Sequence, residues 1–287
     1  MNFYDSHDIP CFGVAGNFTG HLEQAGEAID FANIKTKEAN APKAIFPTYI
    51  PFNNFESEPG SSVPQFLSVF PFDSKKIIFP KDEEKLQIEP ECALVFDAKW
   101  EGKKLVHLKP VCFGASNDCS IRKQGAKKIS EKKNWGSCSK GFAEIQIAAD
   151  GFEKGCILDD YRIASFLIRD GQVYDYGENS AVRDYSYIYS KLIDWMLDKF
   201  NNQKNEGPAE DIHRYLIMAG CPSRILVSIG ATRYTKWGET NFLQNGDNAV
   251  VVVYPESKYT PEQIKKMAEI GDFSDRSISA LVQTVQM

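Results

Sequence analysis

Short apolar runs of strand length dominate the chain, and few stretches carry the three-to-four-residue spacing of a helix. Residues 11–18 read as a strand running into a glycine-containing turn. Leu22, Ala25, Ile29 and Ala32 then fall at helical spacing, which predicts a helix over 20–33. Residues 40–75 are proline-rich with interspersed Phe, Asn and Ser, and read as an extended segment wrapping the surface. A short strand at 76–79 stops at Pro80. Residues 86–96 read as a single strand, and Glu101-Gly102 turns the chain into another at 104–108. Asp170-Gly171, between 163–168 and 172–176, is a strong hairpin signal because both positions tolerate positive φ. Leu192, Ile193, Met196, Leu197 and Phe200 predict an amphipathic helix. Residues 208–219 predict another, with Pro208 in its first turn and Gly220 as its stop. Residues 225–229 and 249–254 read as β-branched strands, and Thr260-Pro261-Glu262-Gln263 as a capping box. Strands do not alternate regularly with helices, so the pattern predicts a mostly β, α+β fold and disfavours a doubly wound sheet.

Composition narrows this picture. The 287 residues are 43% hydrophobic and 25% charged, enough apolar surface for a sizeable core. Lys and Arg total 33 against 39 Asp and Glu, a net charge of −6, which disfavours nucleic acid and anionic membranes as partners. The longest purely apolar run, 249–254, is far short of a membrane helix. The first residues lack a basic and then apolar region, so no secretory signal is expected. Seven scattered cysteines without a Cys-x-x-Cys pair fit reduced thiols, and a cytoplasmic location is expected.

Two places carry candidate chemistry. Glu89 and Glu91 stand two apart in a predicted strand, so both carboxylates aim at one spot. Adjacent carboxylates repel, and a divalent cation between them relieves this; a solvated strand face is the commoner alternative. Asp118 lies among small polar residues, with Arg122 four positions on. It serves either as the cap of a turn or as a third oxygen ligand, completing a set suited to hard cations.

Several blocks in order resemble the fumarylacetoacetate hydrolase family. They are Asn17-Phe18 followed by His21; Ala41-Pro42 with Ile45-Phe46; Ile77-Ile78-Phe79-Pro80; Glu89-Pro90-Glu91; Asn117-Asp118-Cys119-Ser120-Ile121-Arg122; Lys140-Gly141-Phe142; and Gly246-Asp247. The resemblance spans roughly residues 11–255. It implies mixed β-sheets rolled into a flattened barrel with a few peripheral helices. The expected organisation is a strand–helix and wrapping segment over 1–75 and a catalytic region over 76–287, together one compact unit. The resemblance also implies a metal site at Glu89, Glu91 and Asp118 holding Mg²⁺, Mn²⁺ or Ca²⁺, and often a homodimer. Arg122, Gln124 and Lys140 are expected to line the substrate pocket, joined by Gly230 and Thr232 of a late turn. The implied activity is metal-dependent hydrolysis or decarboxylation of a carbon–carbon bond in a small anionic dicarbonyl or 2-oxo acid, through a metal-held enolate. His21 is the candidate base, with Glu23 a possible aide and Lys140 a catalytic cation.

The chain departs from that pattern in places. Relatives place a Glu three residues after the histidine, and here the position is Gln24. The late turn is only echoed by 228–232, and Lys140-Gly141-Phe142 continues as Ala143-Glu144. An isomerase or hydratase on the same metal site, or a binding protein that keeps the fold, are the alternatives. The lysines at 123, 127, 128, 132 and 133 read first as a solvated loop and second as a lid for an anionic substrate. Cys119 reads as a packing residue and His213 as exposed.

Overall fold

A computed structural model describes the chain outside residues 1–2, 6, 32–33, 35, 52–62 and 124. In chain order the strands are β1 (Cys11–Ala15), β2 (Ala44–Tyr49), β3 (Lys76–Ile78), β4 (Leu86–Gln87), β5 (Pro90–Glu101), β6 (Lys104–Asn117), β7 (Ser120–Ile121), β8 (Gly141–Phe142), β9 (Ile147–Ala148), β10 (Tyr161–Arg169), β11 (Gln172–Ala181), β12 (Arg224–Ala231), β13 (Asn248–Pro255) and β14 (Ser279–Gln286). The α-helices are α1 (His21–Gln24), α2 (Tyr189–Asn202), α3 (Ile212–Met218), α4 (Lys236–Thr240) and α5 (Pro261–Ile270).

A seven-stranded sheet runs β2-β1-β12-β5-β6-β8, with β9 also on β6; a five-stranded sheet runs β11-β10-β13-β14-β3; β4 and β7 form a small third. The β1–β12 and β14–β3 pairs are parallel and the other pairings antiparallel, so both larger sheets are mixed. The core lies between them, where Leu94, Phe96 and Phe113 meet Ile163, Val251, Val253 and Leu281. Each such fully buried side chain contributes roughly 1.5–3 kcal/mol. Val250, Val252 and Tyr254 face the other way, onto Ile264 and Ala268 of α5. With both faces of β13 covered, its run is apolar throughout instead of alternating. The mostly β, α+β prediction and the rolled mixed-sheet architecture both hold.

One hairpin positions the site. It turns at Gly102, whose φ of 59° suits a glycine, and pairs β5 with β6 so that Pro90 faces Asn117 and Glu91 faces Ser116. This register brings the start of one strand to the end of the other. Glu89 N donates to Asn117 Oδ1 at 3.1 Å, and Asp118 N donates to Glu89 O at 3.1 Å.

Some local expectations give way. The helix predicted over 20–33 is only His21–Gln24, followed by a 3₁₀ turn at Ala28–Phe31, because Gly26 has φ 69° between them. The single strand expected over 86–96 is broken at Ile88-Glu89 into β4 and β5. The wrapping segment contains β2, an edge strand, where Pro47 is tolerated. The helix expected from Pro208 starts at Ile212, where Asp211 caps Arg214 N. The hairpin at Asp170-Gly171 and the capping box at Thr260 form as expected.

Candidate metal centre

Three carboxylates meet where β5 begins and β6 ends. Glu89, Glu91 and Asp118 are 3%, 2% and 2% exposed. One oxygen from each lies within 4.8 Å of the others. Oxygens around a hard cation, at roughly 2.0–2.6 Å from it, fall within about 5 Å of one another. The donor set thus fits Mg²⁺ or Mn²⁺ in number, charge and chemistry.

The three are not equivalent. Glu89 Oε1 accepts from Arg122 Nη2 at 2.7 Å and Glu89 Oε2 lies 2.5 Å from Lys133 Nζ. Burial opposes its charge, but Lys133 and Arg122 prevail and hold Glu89 below the usual carboxylate range. Asp118 Oδ2 lies 2.8 Å from Lys133 Nζ, and Oδ1 lies 3.3 Å from Lys140 Nζ. Glu91 has no ion pair among the described residues, and its Oε2 accepts from Gly230 N at 2.7 Å. Burial first, then the charges of Asp118 and Glu89, push its carboxyl well above the ordinary value.

Gly230 explains itself through this contact. The register between β12 and β5 shifts between Ser228 and Ala231, a bulge that frees the Gly230 N–H for Glu91. Its φ is 121°, and an added Cβ would lie 3.0 Å from the Asn17 Cβ.

His21 is held from the far side. Asn17 Nδ2 donates to Ile229 O at 2.8 Å and Tyr187 O at 3.0 Å, fastening the turn before α1 onto β12. His21 Nδ1 sits 2.8 Å from Thr232 O. A carbonyl can only accept, so Nδ1 carries the hydrogen and Nε2 keeps its lone pair. Nε2 makes no hydrogen bond among the described residues. Burial pulls the imidazole below its ordinary value, against the charges of Glu89 and Glu27.

The remaining expected residues are placed as follows. Glu23 is exposed. Gln24 binds the backbone of Tyr234, accepting from its N at 2.8 Å and donating to its O at 3.1 Å. Lys140 is 1% exposed and also donates to Cys119 O; burial pulls its ammonium below the ordinary value. Thr232 Oγ1 is buried and has no partner among the described residues. Gln124 lies outside the described residues. Arg122 is already engaged by Gln87, Glu27, Glu89 and Tyr234, each at 2.6–2.7 Å. Cys119 is buried, and His213 is half-buried, with Nε2 2.8 Å from Lys103 O.

The solvated-loop expectation for the lysine run fails at two positions. Lys132 and Lys133 are 4% and 2% exposed. Lys132 Nζ bonds Glu27 and Asp30, each at 3.0 Å. Glu27, also buried, joins Lys132 to Arg122. Composition did not mark Glu27, Lys132 or Lys133. The available signal was that the apolar Ile129 and Trp135 bracket Lys132 and Lys133, so docking of that pair carries the two lysines inward.

A model of a family of unknown function, DUF5718, matches residues 27–285. The chain belongs to this family. No curated protein matches it in sequence. Among solved structures, Cg1458 with inhibitor aligns at TM-score 0.55 and 13% identity, over 96% of this chain and 76% of that one. A 2-keto-3-deoxy-D-arabinonate dehydratase complexed with magnesium and 2,5-dioxopentanoate aligns at 0.53 and 14%, over 96% and 72%. The 5-carboxymethyl-2-hydroxymuconate delta-isomerase of Mycobacterium smegmatis aligns at 0.50 and 13%, over 96% and 78%. At such identities the likeness is one of fold. This DUF5718 member has a fumarylacetoacetate hydrolase-like fold, and the resemblance in sequence blocks stands at that level. No helix among the described residues is long and apolar enough to cross a membrane.

Proposed function

We propose that the protein is a metal-dependent enzyme that enolises a small anionic 2-oxo acid or dicarbonyl, ending in isomerisation or dehydration. The observation that carries this is the buried trio of Glu89, Glu91 and Asp118, with His21 fixed by Thr232 O and within electrostatic reach of Glu89. A divalent cation held by the trio would supply a Lewis acid to a chelating carbonyl oxygen. The Nε2 lone pair of His21 takes the proton α to that carbonyl, since Nδ1 is committed to Thr232 O. Lys140 stands by for negative charge on the substrate. The magnesium-bound dehydratase and the isomerase of like fold support this class.

Hydrolytic cleavage of a carbon–carbon bond, or decarboxylation, is the second reading. Both readings turn His21 into imidazolium, but hydrolysis must in addition position and activate a water. Glu23 is exposed and Gln24 is tied to Tyr234, so no carboxylate from α1 orients His21. That favours proton transfer without water attack.

The test is nuclear magnetic resonance of oxaloacetate and an acylpyruvate in heavy water with enzyme and Mg²⁺ or Mn²⁺. Metal-dependent exchange of the α protons without carbon–carbon cleavage supports the proposal. Pyruvate release supports the second reading. Binding without exchange or cleavage would leave a binding protein that has kept the fold.

A further inference from the structure

The trio already has a cation, and it belongs to the chain. Lys133 Nζ lies 2.5 Å from Glu89 Oε2 and 2.8 Å from Asp118 Oδ2, so it contacts two of the three candidate metal ligands. Its side chain is 3% exposed. Glu27, Glu89 and Asp118 are ion-paired with Arg122, Lys132, Lys133 and Lys140 in one buried network, to which Lys132 also ties the exposed Asp30.

The backbone carrying Lys133 is firmly held. Ile129 is buried and its N donates to Pro208 O at 3.2 Å. Ser130 Oγ bonds Glu210 at 3.1 Å, and Asn134 Nδ2 bonds Thr48 O at 2.8 Å and Val69 O at 3.0 Å. Trp135 Nε1 bonds Ile78 O at 2.9 Å. A segment pinned on both sides holds the ammonium at high effective concentration against the carboxylates. Its four-carbon stem still lets Nζ swing away without moving the backbone.

We propose that Lys133 is a tethered counter-ion that competes with a divalent cation for Glu89 and Asp118, and so sets how tightly the centre takes metal. This rests on the metal reading of the trio. Arg122 and Lys140 sit on Glu89 Oε1 and Asp118 Oδ1, so Lys133 occupies the two remaining oxygens, Oε2 and Oδ2, and a dication on those same oxygens is strongly repelled by its ammonium. Metal entry therefore requires Lys133 to leave. The protein then holds metal weakly when empty of substrate, and a chelating substrate that adds oxygen ligands tips the exchange.

The experiment is calorimetric titration of the full-length protein with Mn²⁺ alone, comparing wild type, Lys133→Met and Lys133→Arg, with circular dichroism to verify folding. Lys133→Met keeps the stem and removes the charge, and is expected to bind Mn²⁺ about tenfold tighter or more. Lys133→Arg keeps the charge and is expected to stay near wild type. If Lys133→Met folds only with Mn²⁺ present, that dependence is the same result in another form, and Lys133→Gln repeats it. Equal or weaker binding by Lys133→Met overturns the proposal while leaving the metal reading intact, since Lys133 then stands beside the metal. Absence of Mn²⁺ binding in all three overturns both. Failure of Lys133→Met and Lys133→Gln to fold with or without Mn²⁺ makes Lys133 an obligatory structural cation and also overturns it.

Discussion

The Nδ1 atom of His21 faces the backbone oxygen of Thr232 at 2.8 Å, across 211 residues of sequence. That contact sets the tautomer of the imidazole and leaves Nε2 as a base. His21→Asn is therefore expected to slow α-proton exchange roughly 10²–10⁴-fold, the usual contribution of a placed general base. Unchanged exchange in a folded His21→Asn protein would remove His21 from the mechanism.

Glu27 is the shared acceptor of Arg122 and Lys132 inside the protein, at 2.7 and 3.0 Å. Burial raises its carboxyl, but Arg122 leads the cations that hold it below the usual range. Truncation leaves two buried cations short of a partner. Glu27→Ala is expected to cost about 3–5 kcal/mol in denaturant unfolding, read from the midpoint at unchanged slope. A loss below about 1 kcal/mol, the scale of a surface pair, would place Glu27 outside the network.

Glu210 is a separate pH-dependent element. Burial pushes its carboxyl from 4.5 up to about 7, against the opposing Ser130 hydrogen bond and the charge of Lys128; Tyr215 and Glu131 also face it. The folded state keeps its proton where the unfolded state has lost it. Its contribution is thus fully present below about 4.5 and is lost as pH rises through about 7. The loss amounts to roughly 3 kcal/mol. Glu210→Gln is expected to abolish this slope and to be more stable than wild type above neutral pH. An unchanged stability-against-pH curve would show that Glu210 is ionised in the fold.

Much of the architecture was legible where local chemistry and tertiary structure agree. Asp170-Gly171 supplies both positive-φ positions its hairpin needs, and Thr260 with Gln263 forms its capping box without help from elsewhere. The juxtaposition of Glu89 and Glu91 followed from their spacing, and Asp118 stood out as a third oxygen ligand or a turn cap among small polar residues, with the ordered blocks that resemble a known family pointing to the same three. The details that failed are those decided at a distance. The break at Ile88-Glu89 follows from β4 pairing with β7 while β5 pairs with β6. Lys133 looks like any surface lysine until the docking of Ile129 and Asn134 turns it inward. The engagement of the Arg122 guanidinium by Gln87, Glu27, Glu89 and Tyr234 is likewise set by three segments remote in sequence.

Glu89, Glu91 and Asp118 are expected to hold a divalent cation for chemistry on a chelating oxo acid. The most direct test is titration of wild type and a Glu89→Ala/Glu91→Ala double variant with Mn²⁺, with and without oxalate, a mimic of a chelating enolate. Wild type is expected to bind Mn²⁺, with oxalate tightening the binding, and the double variant is expected to do neither. Wild type that takes up no metal at millimolar Mn²⁺, even with oxalate present, would contradict this expectation.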